Sequence, residues 1–387
     1  MTLNTDRAID SKIRVAVVHD WVFERRGGEK VLERILNLFP QAHLYYLFGR
    51  PLEVLNIKTK PKCFPSFLNK IPFVSKIYKY LLPILPVAIE SFDFKDYDLI
   101  ISTSSCVAKG VIPHPTSKHV CYIHSPMRYA WDQEYCYFKK SPSLLRPLEI
   151  LRRIYLNRLR IWDVTSSNRI DKLIANSNFV ARRCQLYYGK NSEVIYPPTE
   201  ISRFTLKKHL PANSAQFEKK ILLFGAWVPY KKFYETLCFL VENNIPVIAA
   251  GQGKDIEKAY REFKHKVEFS ISPTDKEVSA IFAKSHALLF PAIEDFGIVT
   301  IEATASGLWI VAPNCGGTKD TVVDGVTGFT FQKDNQQEML FAVKKALAKE
   351  IDELDLNNMK NHAAQFSPDI FDAKMLNAIN DCLGTHS

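Results

Sequence analysis

The sequence predicts an α/β chain of two Rossmann-like parallel-sheet domains, and three observations carry that prediction. Short Val-, Ile- and Leu-rich runs recur without polar alternation, the pattern of strands buried on both faces. The first of these runs ends in a glycine turn, and apolar residues at helical spacing follow. The series also starts twice, near residue 13 and again after Pro197-Pro198, with a polar stretch around 206–216 between the two. Two successive βα series imply two doubly wound domains. Length agrees, since 387 residues exceed what one ordinary core holds.

Residues 13–18 of IRVAVVHDW read as the first strand, which ends in a turn at Gly27 and Gly28. EKVLERILNLF then supplies the helix of a βα unit. Further strands are expected at 98–105 (DLIISTSS), 118–125 (KHVCYIHS) and 171–177 (DKLIANS), with helical or irregular chain between them. The second series gives a strand at 219–227 (KKILLFGAW), a helix at 234–243 (YETLCFLVEN) and a strand at 245–253 (IPVIAAGQG). KVEFS, a helix near 275–284, HALLFPA, a helix at 300–306 and WIVAPN continue the alternation. SPDIFDAKMLNAINDCL (367–383) reads as an amphipathic helix with Ser367 or Asp369 near its start. The expected division is 1–205, 206–366 and a C-terminal helix, 367–387, able to pack back on the first domain.

Composition narrows the function classes. Hydrophobic residues at 47% and aromatics at 12% mark a globular chain. The opening MTLNTDRAIDSK lacks the apolar stretch of a signal peptide, and YLLPILPVAI (80–89) is short and broken by two prolines. No transmembrane helix is expected. Eight cysteines include no C-x-x-C pair, and Cys106, Cys121 and Cys136 have no neighbouring His set at zinc spacing. Reduced, mostly buried thiols in a cytosolic protein, without a metal site, are the expectation. Net charge of +10 calls for an anionic partner: nucleic acid, a phospholipid surface or a phosphorylated small molecule.

That charge is uneven. No acidic residue lies between Glu53 and Glu90, while Lys58, Lys60, Lys62, Lys70, Lys76 and Lys79 interleave with Phe64, Phe67, Leu68, Ile71, Phe73, Ile77 and Tyr80. Segment 144–160, LLRPLEILRRIYLNRLR, is likewise basic and amphipathic. Such chain suits an anionic lipid surface, with an ordinary solvated helix face as the alternative. A nucleic-acid binder would need a basic stripe with aromatic platforms. Here the basic residues track aliphatic helices instead.

No G-x-G-x-x-G or P-loop lysine motif occurs, which argues against a dinucleotide dehydrogenase and a Walker-type ATPase. Asp96-Tyr97-Asp98 is a possible metal-diphosphate pair, but it precedes its strand, at the end where such sheets rarely place chemistry. PAIEDFGIVTIEATASG (291–307) is better placed. Glu294 follows the HALLFPA strand, Phe296, Gly297 and Ile298 make the turn, and a helix start offers free amides to an anion. Glu302 lies about a turn into that helix, roughly 5 Å further along, within reach of a ribose. Carboxylates for hydroxyls beside amides for phosphates match a nucleotide sugar. The alternative is a helix-capping Glu302 and a solvated Glu294, and spacing alone leaves both open.

E-D-F-G-I-x-x-x-E, Glu294 to Glu302, resembles the E-x7-E signature of the retaining family-four glycosyltransferases of GT-B architecture. More specifically, the chain is similar to the mannosyltransferase-like subgroup of bacterial polysaccharide and O-antigen assembly. Matching stretches run nearly end to end: VHDWVFERRGGEKVLERILNLFP (18–40), YIHSPMRYAWD (122–132), ANSNFVARRC (175–184), VIYPPTE (194–200), VPYKK (228–232) and the 291–328 region. The resemblance implies two domains facing across a cleft, 1–205 binding the acceptor and 206–366 the nucleotide sugar. It implies a metal-independent hexosyltransferase with no cofactor beyond its donor, GDP-mannose favoured. A lipid-linked saccharide acceptor, an anionic membrane surface and a peripheral place on the cytoplasmic membrane face follow from it, with no nucleic-acid partner.

Residue by residue, the resemblance implies catalytic roles for His124, Lys231 and Glu294. It implies donor binding by Gly27, Gly28, Lys231, Lys232, Glu294, Phe296, Gly297, Ile298 and Glu302. Asp20, Arg128 and Trp131 fall on the acceptor side. One departure stands out: the family reads S-R-L-V-P-Y-K where this chain reads Gly225-Ala226-Trp227-Val228-Pro229-Tyr230-Lys231. Ala226 thus replaces the arginine that would share the diphosphate with Lys231, and a charge-assisted hydrogen bond lost there is worth about 1.5–3 kcal/mol. Lys232 or another cation substitutes, the donor sits differently, or the protein is a weakened or silent relative. A UDP-hexose transferase and a silent sugar-nucleotide or glycan-binding module remain the alternatives.

Overall fold

A computed structural model of the chain describes residues 12–134, 146–204 and 219–384. It divides into two compact units, Met1–Pro198 with Pro368–Ser387, and Thr199–Ser367. The polar stretch around 206–216 and Cys136 lie outside the described residues.

In the first unit β1 (Val15–Val22), β2 (His43–Gly49), β3 (Cys63–Pro65), β4 (Leu99–Ser104), β5 (Lys118–Ile123), β6 (Lys172–Ala175) and β7 (Glu193–Val194) form one sheet, ordered β3-β2-β1-β4-β5-β6-β7. Its pairings are parallel, with Val17 opposite Leu44 and Ile101. Strand alternation splits β1 between two cores. Val15 and Val17 face Val31, Leu32 and Ile35 of the helix Gly27–Leu38, while Ala16 and Val18 face Leu47, Ala88 and Ile100. Burial on both faces is why this run is continuously apolar. The C-terminal helix Pro368–Leu383 joins the first core through Phe371, Met375 and Ile379, and Arg34 Nε donates to Asp372 at 2.7 Å.

The second unit orders β8 (Ile221–Ala226), β9 (Val247–Gln252), β10 (Glu268–Ile271), β11 (Ala287–Leu289), β12 (Trp309–Pro313) and β13 (Gly328–Phe331) as β10-β9-β8-β11-β12-β13. Leu222 pairs in register with Leu288 and Ile248. The helix Asp275–Lys284 begins at a capping box in which Thr274 and Glu277 satisfy each other's orphan backbone donors. Each sheet reverses its strand order once, between β1 and β4 and between β8 and β11. A doubly wound sheet opens a crevice for ligands beyond the carboxyl ends of those strands.

The apolar runs expected as strands all carry them. β2, β3, β7 and β13, and the helices Gln336–Ala348 and Glu353–Ala364, were not anticipated. HLYYLFG mixes aromatics into its apolar run, and β3 and β7 are edge strands of 3 and 2 residues. Asp98 accepts from the Arg14 backbone N–H at 2.9 Å, so the D-x-D pair ties down the amino end of β4, in keeping with a surface role. Among the described residues no acidic, His and Cys cluster could hold a metal, and no helix is long and apolar enough to cross a membrane.

Candidate functional site

At the β1/β4 crossing, the carboxyl end of β1 presents His19 and Asp20. Asp20 is buried, and its Oδ2 accepts from the backbone N–H groups of Ser105 (2.7 Å) and Cys106 (2.8 Å) and from the Ser105 hydroxyl (3.3 Å). Its Oδ1 accepts from the N–H groups of Val107 (2.8 Å) and Ala108 (2.7 Å). Asp20 is one of the residues expected on the acceptor side. Both oxygens are consumed by the loop after β4, whose amides have no other acceptor in this turn, so Asp20 shapes the crossing from within.

His19 Nδ1 lies 2.6 Å from Thr103 Oγ1, and its Nε2 lies 4.0 Å from Glu29 Oε1. Glu29 closes the start of the helix Gly27–Leu38 by accepting from the Arg26 N–H at 2.9 Å. Burial alone would raise the Glu29 carboxyl; His19 and the helix-start amides outweigh it, and the group sits below the usual carboxylate range. His124 follows β5, its ring 6.4 Å from His19 and 5.3 Å from Tyr122. Asn176 Nδ2 donates to its carbonyl at 3.0 Å. Burial, reinforced by His19 and partly offset by Glu29, lowers the His124 imidazole to about 3, so it is neutral.

His124 Nε2 is buried without a hydrogen-bond partner among the described residues. An orphaned polar atom of this kind costs about 1–3 kcal/mol, which a ligand can recover. A β-carbon on Gly28 would stand 3.6 Å from that same Nε2. That is ordinary contact, so Gly28 marks adjacency to His124 and no steric need for glycine. Sequence reasoning anticipated Gly28 and His124 and missed His19 and Glu29. The available signals were a histidine within β1 and an acid directly after the Gly-Gly pair.

Trp131 and Arg128 lie in the turn after β5. Trp131 Nε1 donates to Asp163 Oδ2 at 2.8 Å, and its ring stacks on Tyr187 at 4.6 Å. Asp163 is fully buried and paired with Lys109 Nζ at 2.9 Å. The indole is therefore anchored into the fold, its N–H already used. Arg128 is half-buried, and its carbonyl accepts from the Gln133 N–H at 2.9 Å. Arg183 holds the turn from below, donating to Ser125 Oγ at 2.8 Å and Asp132 Oδ1 at 2.6 Å.

In the second unit the β8/β11 crossing collects the remaining groups. Beyond β8, Trp227 is buried and donates to the Ala250 carbonyl at 2.9 Å, and the short turn Pro229–Lys231 follows. Lys231 Nζ lies 2.8 Å from Oε1 of Glu294, which follows β11, and both side chains are largely buried. The motif lysine and the first motif carboxylate are thus brought together. Lys232 takes a left-handed backbone (φ +57°) and its Nζ lies 2.5 Å from exposed Asp334. Its ammonium is paired there with an exposed carboxylate.

The Phe296 ring is buried against Phe366, leaving its backbone as the part a donor can meet. Gly297 at φ +89° reverses the chain into the helix Ile298–Ala305, a conformation that favours glycine. Two glycines after β12 hold this loop. Gly317 N–H donates to the Glu294 carbonyl at 2.8 Å, and a β-carbon there would stand 2.4 Å from Phe296 Cα. One on Gly316 would stand 2.9 Å from the Glu294 carbonyl oxygen. Glu302 is buried, with Oε1 accepting from Arg203 Nη2 at 3.1 Å. Gly316, Gly317 and Arg203 were not anticipated; only the C-G-G after a strand gave a signal.

Residues 212–366 match the family model of glycosyl transferases group 1. A glycogen synthase of Pseudomonas aeruginosa is 35% identical over 107 residues, 26% of this chain and 21% of that enzyme, so the chain aligns with only about a fifth of it. The alpha-1,3/1,6-mannosyltransferase ALG2 of Dictyostelium discoideum is 22% identical over 311 residues, 69% of this chain and 70% of that one. In fold the chain is similar to Anabaena Alr3699/HepE in complex with UDP, with a TM-score of 0.68 at 15% identity, covering 95% of this chain and 100% of that one. Its two parallel-sheet units have the GT-B architecture, residues 212–366 carry the match to glycosyl transferases group 1, and a mannosyltransferase is among the proteins the chain is similar to.

Proposed function

We propose that the chain is a retaining, metal-independent glycosyltransferase that moves mannose from GDP-mannose onto a lipid-linked saccharide in polysaccharide or O-antigen synthesis. The observation that carries this reading is the Lys231–Glu294 pair, 2.8 Å apart at a crossing point where such sheets take ligands. A donor exchanges partners with that pair. Its diphosphate takes Lys231, a charge-assisted contact that strengthens as the phosphate departs. Glu294 turns to the sugar hydroxyls, and Glu302 to the ribose.

The neutral His124 of the first unit keeps its buried Nε2 open to a sugar hydroxyl. No covalent nucleophile is needed: the acceptor hydroxyl attacks the anomeric carbon from the face the diphosphate leaves, and a phosphate oxygen takes the proton. Protein groups contribute positioning and stabilisation of the leaving charge.

A lipid-linked acceptor requires access to a membrane. Phe67, Phe73, Tyr80 and Val87 are 49%, 75%, 83% and 61% exposed in the segment that carries six lysines and no acid. Ile150, Leu151, Ile154 and Ile161 are exposed along the Arg-rich helix Arg146–Ser167. Apolar side chains ringed by cations suit a peripheral seat on anionic lipid. Co-sedimentation with anionic but not neutral vesicles is expected; equal binding to both, or none, removes this role.

A second reading, a UDP-hexose donor, has its own support in Ala226 and in the UDP held by HepE. Incubation with GDP-mannose and UDP-hexoses, with the product anomer read by NMR, separates the readings. Retained configuration that survives a chelator is expected. An inverted product or a requirement for a divalent ion would contradict the mechanism, and nucleotide-sugar binding without transfer would favour a silent binding module.

A further inference from the structure

We propose that Arg203 is a positioning residue for nucleotide recognition, fixing the Glu302 carboxylate so that it can accept from the donor ribose. The inference rests on the reading of Glu302 as the ribose contact and adds the residue that makes that contact possible.

Glu302 lies in the interior of the helix Ile298–Ala305 and is only 4% exposed. The amides around it are committed to the helix, so its buried charge needs a cation from elsewhere. Arg203 supplies one from the short turn Ile201–Arg203, 99 residues away in sequence, with Nη2 at 3.1 Å from Glu302 Oε1. The guanidinium is itself immobilised. Its Nη1 lies 3.3 Å from Asp275 Oδ1, and its carbon lies 4.5 Å from the centre of the Phe204 ring. Phe204 in turn stacks on Phe282 at 5.5 Å, the planes 13° apart. Phe282 belongs to the helix Asp275–Lys284, so one helix holds both the acid and the aromatic platform.

This arrangement does more than stabilise the fold. A buried ion pair is often replaceable by apolar residues without loss of stability, so its use is better sought in what the fixed carboxylate does. A planar guanidinium held on two sides sets the plane of the carboxylate it meets, which a flexible ammonium does less well. A ribose presents two hydroxyl donors at fixed spacing, and a carboxylate discriminates ribose from deoxyribose only if it is held in one orientation. Asp275, whose side chain is 79% exposed, keeps Nη1 engaged while Glu302 receives the hydroxyls.

The test is calorimetry on the full chain with UDP, GDP and their 2′- and 3′-deoxy counterparts. It compares wild type with Arg203→Met, Arg203→Lys and Asp275→Asn, alongside Tm values. Wild type is expected to prefer the ribonucleotide by about tenfold or more, the worth of one good charge-assisted hydrogen bond. Arg203→Met should weaken ribonucleotide binding about tenfold and erase most of the preference, while Arg203→Lys recovers part of it and Asp275→Asn, which loosens the guanidinium, loses a smaller part. In a transfer assay the donor KM should rise with kcat at saturation nearly unchanged, the mark of lost ground-state binding.

An unchanged ribo/deoxy ratio in both Arg203 variants would overturn the inference. So would a fall in kcat at constant KM. If Arg203→Met does not fold, the ratio in Arg203→Lys decides. Wild type that binds no nucleotide at all would instead overturn the donor reading, and this inference with it.

Discussion

The two units wind their sheets on the same plan and then treat charge differently at the crossing. In the first unit the fold consumes its charge: four backbone N–H groups take the Asp20 carboxylate, and burial keeps His124 neutral. In the second unit the carboxylate nearest the crossing is paired with a lysine side chain, Glu294 with Lys231. Backbone amides cannot leave Asp20 without unmaking a loop, whereas a lysine can leave Glu294 for a phosphate by rotating its side chain. On the function proposed here, the first crossing holds a shape and the second exchanges partners.

Substitutions can break or sharpen that contrast. The largest effect on stability is expected from Asp20→Ala, which strands four amides. A loss of about 3 kcal/mol or more follows from unpaired buried donors, a Tm fall of roughly 10 °C. Lys231→Ala should lower kcat by about ten- to a hundredfold through the lost charge-assisted contact, with only a small Tm change. A Tm fall in Lys231→Ala as large as in Asp20→Ala would erase the distinction between the crossings.

Gly317→Ala comes next. Its β-carbon would stand 2.4 Å from Phe296 Cα, so the loop carrying Glu294 must move. A displacement of that size should reduce transfer about tenfold or more. Wild-type kinetics in Gly317→Ala would mean that the loop relaxes without moving the carboxylate.

The last effect is a pH dependence rooted in the first unit. The ordinary histidine value is 6.5, and His124 is held near 3 by burial, with His19 adding to it. His119, buried and held near 4, acts in the same sense. As pH falls below 6.5 the unfolded chain takes up these protons and the native fold does not, so stability declines from 6.5 toward 3. A urea midpoint lower at pH 5 than at pH 7.5 is expected, with the difference narrowed in His124→Asn. A midpoint that rises on acidification would contradict the neutral assignment.

Much of this frame was legible in the sequence because buried parallel strands write themselves as aliphatic runs. β1, β4, β8 and β11, the four strands that make the crossings, are all of that kind. The aromatic β2 and the short edge strands lacked that signal. The site divides the same way. His124, Lys231 and Glu294, each in a loop that follows a strand, were picked out by the resemblance of their motifs, since spacing alone left Glu294 open. Partners could not be picked out: Asp20 meets amides 85 to 88 residues away, and Arg203 meets Glu302 across 99. A side chain's type says that it needs a partner, and only tertiary packing says which.

The central claim is that the second crossing exchanges its Lys231–Glu294 pair for a nucleotide sugar. The most direct test is calorimetry of wild type and Glu294→Ala against GDP-mannose, UDP-glucose, UDP-galactose and UDP-N-acetylglucosamine. Selective binding of one donor, GDP-mannose on the reading proposed here, and its loss in Glu294→Ala, is the expected result. Binding of no donor, or equal binding by the variant, would contradict it.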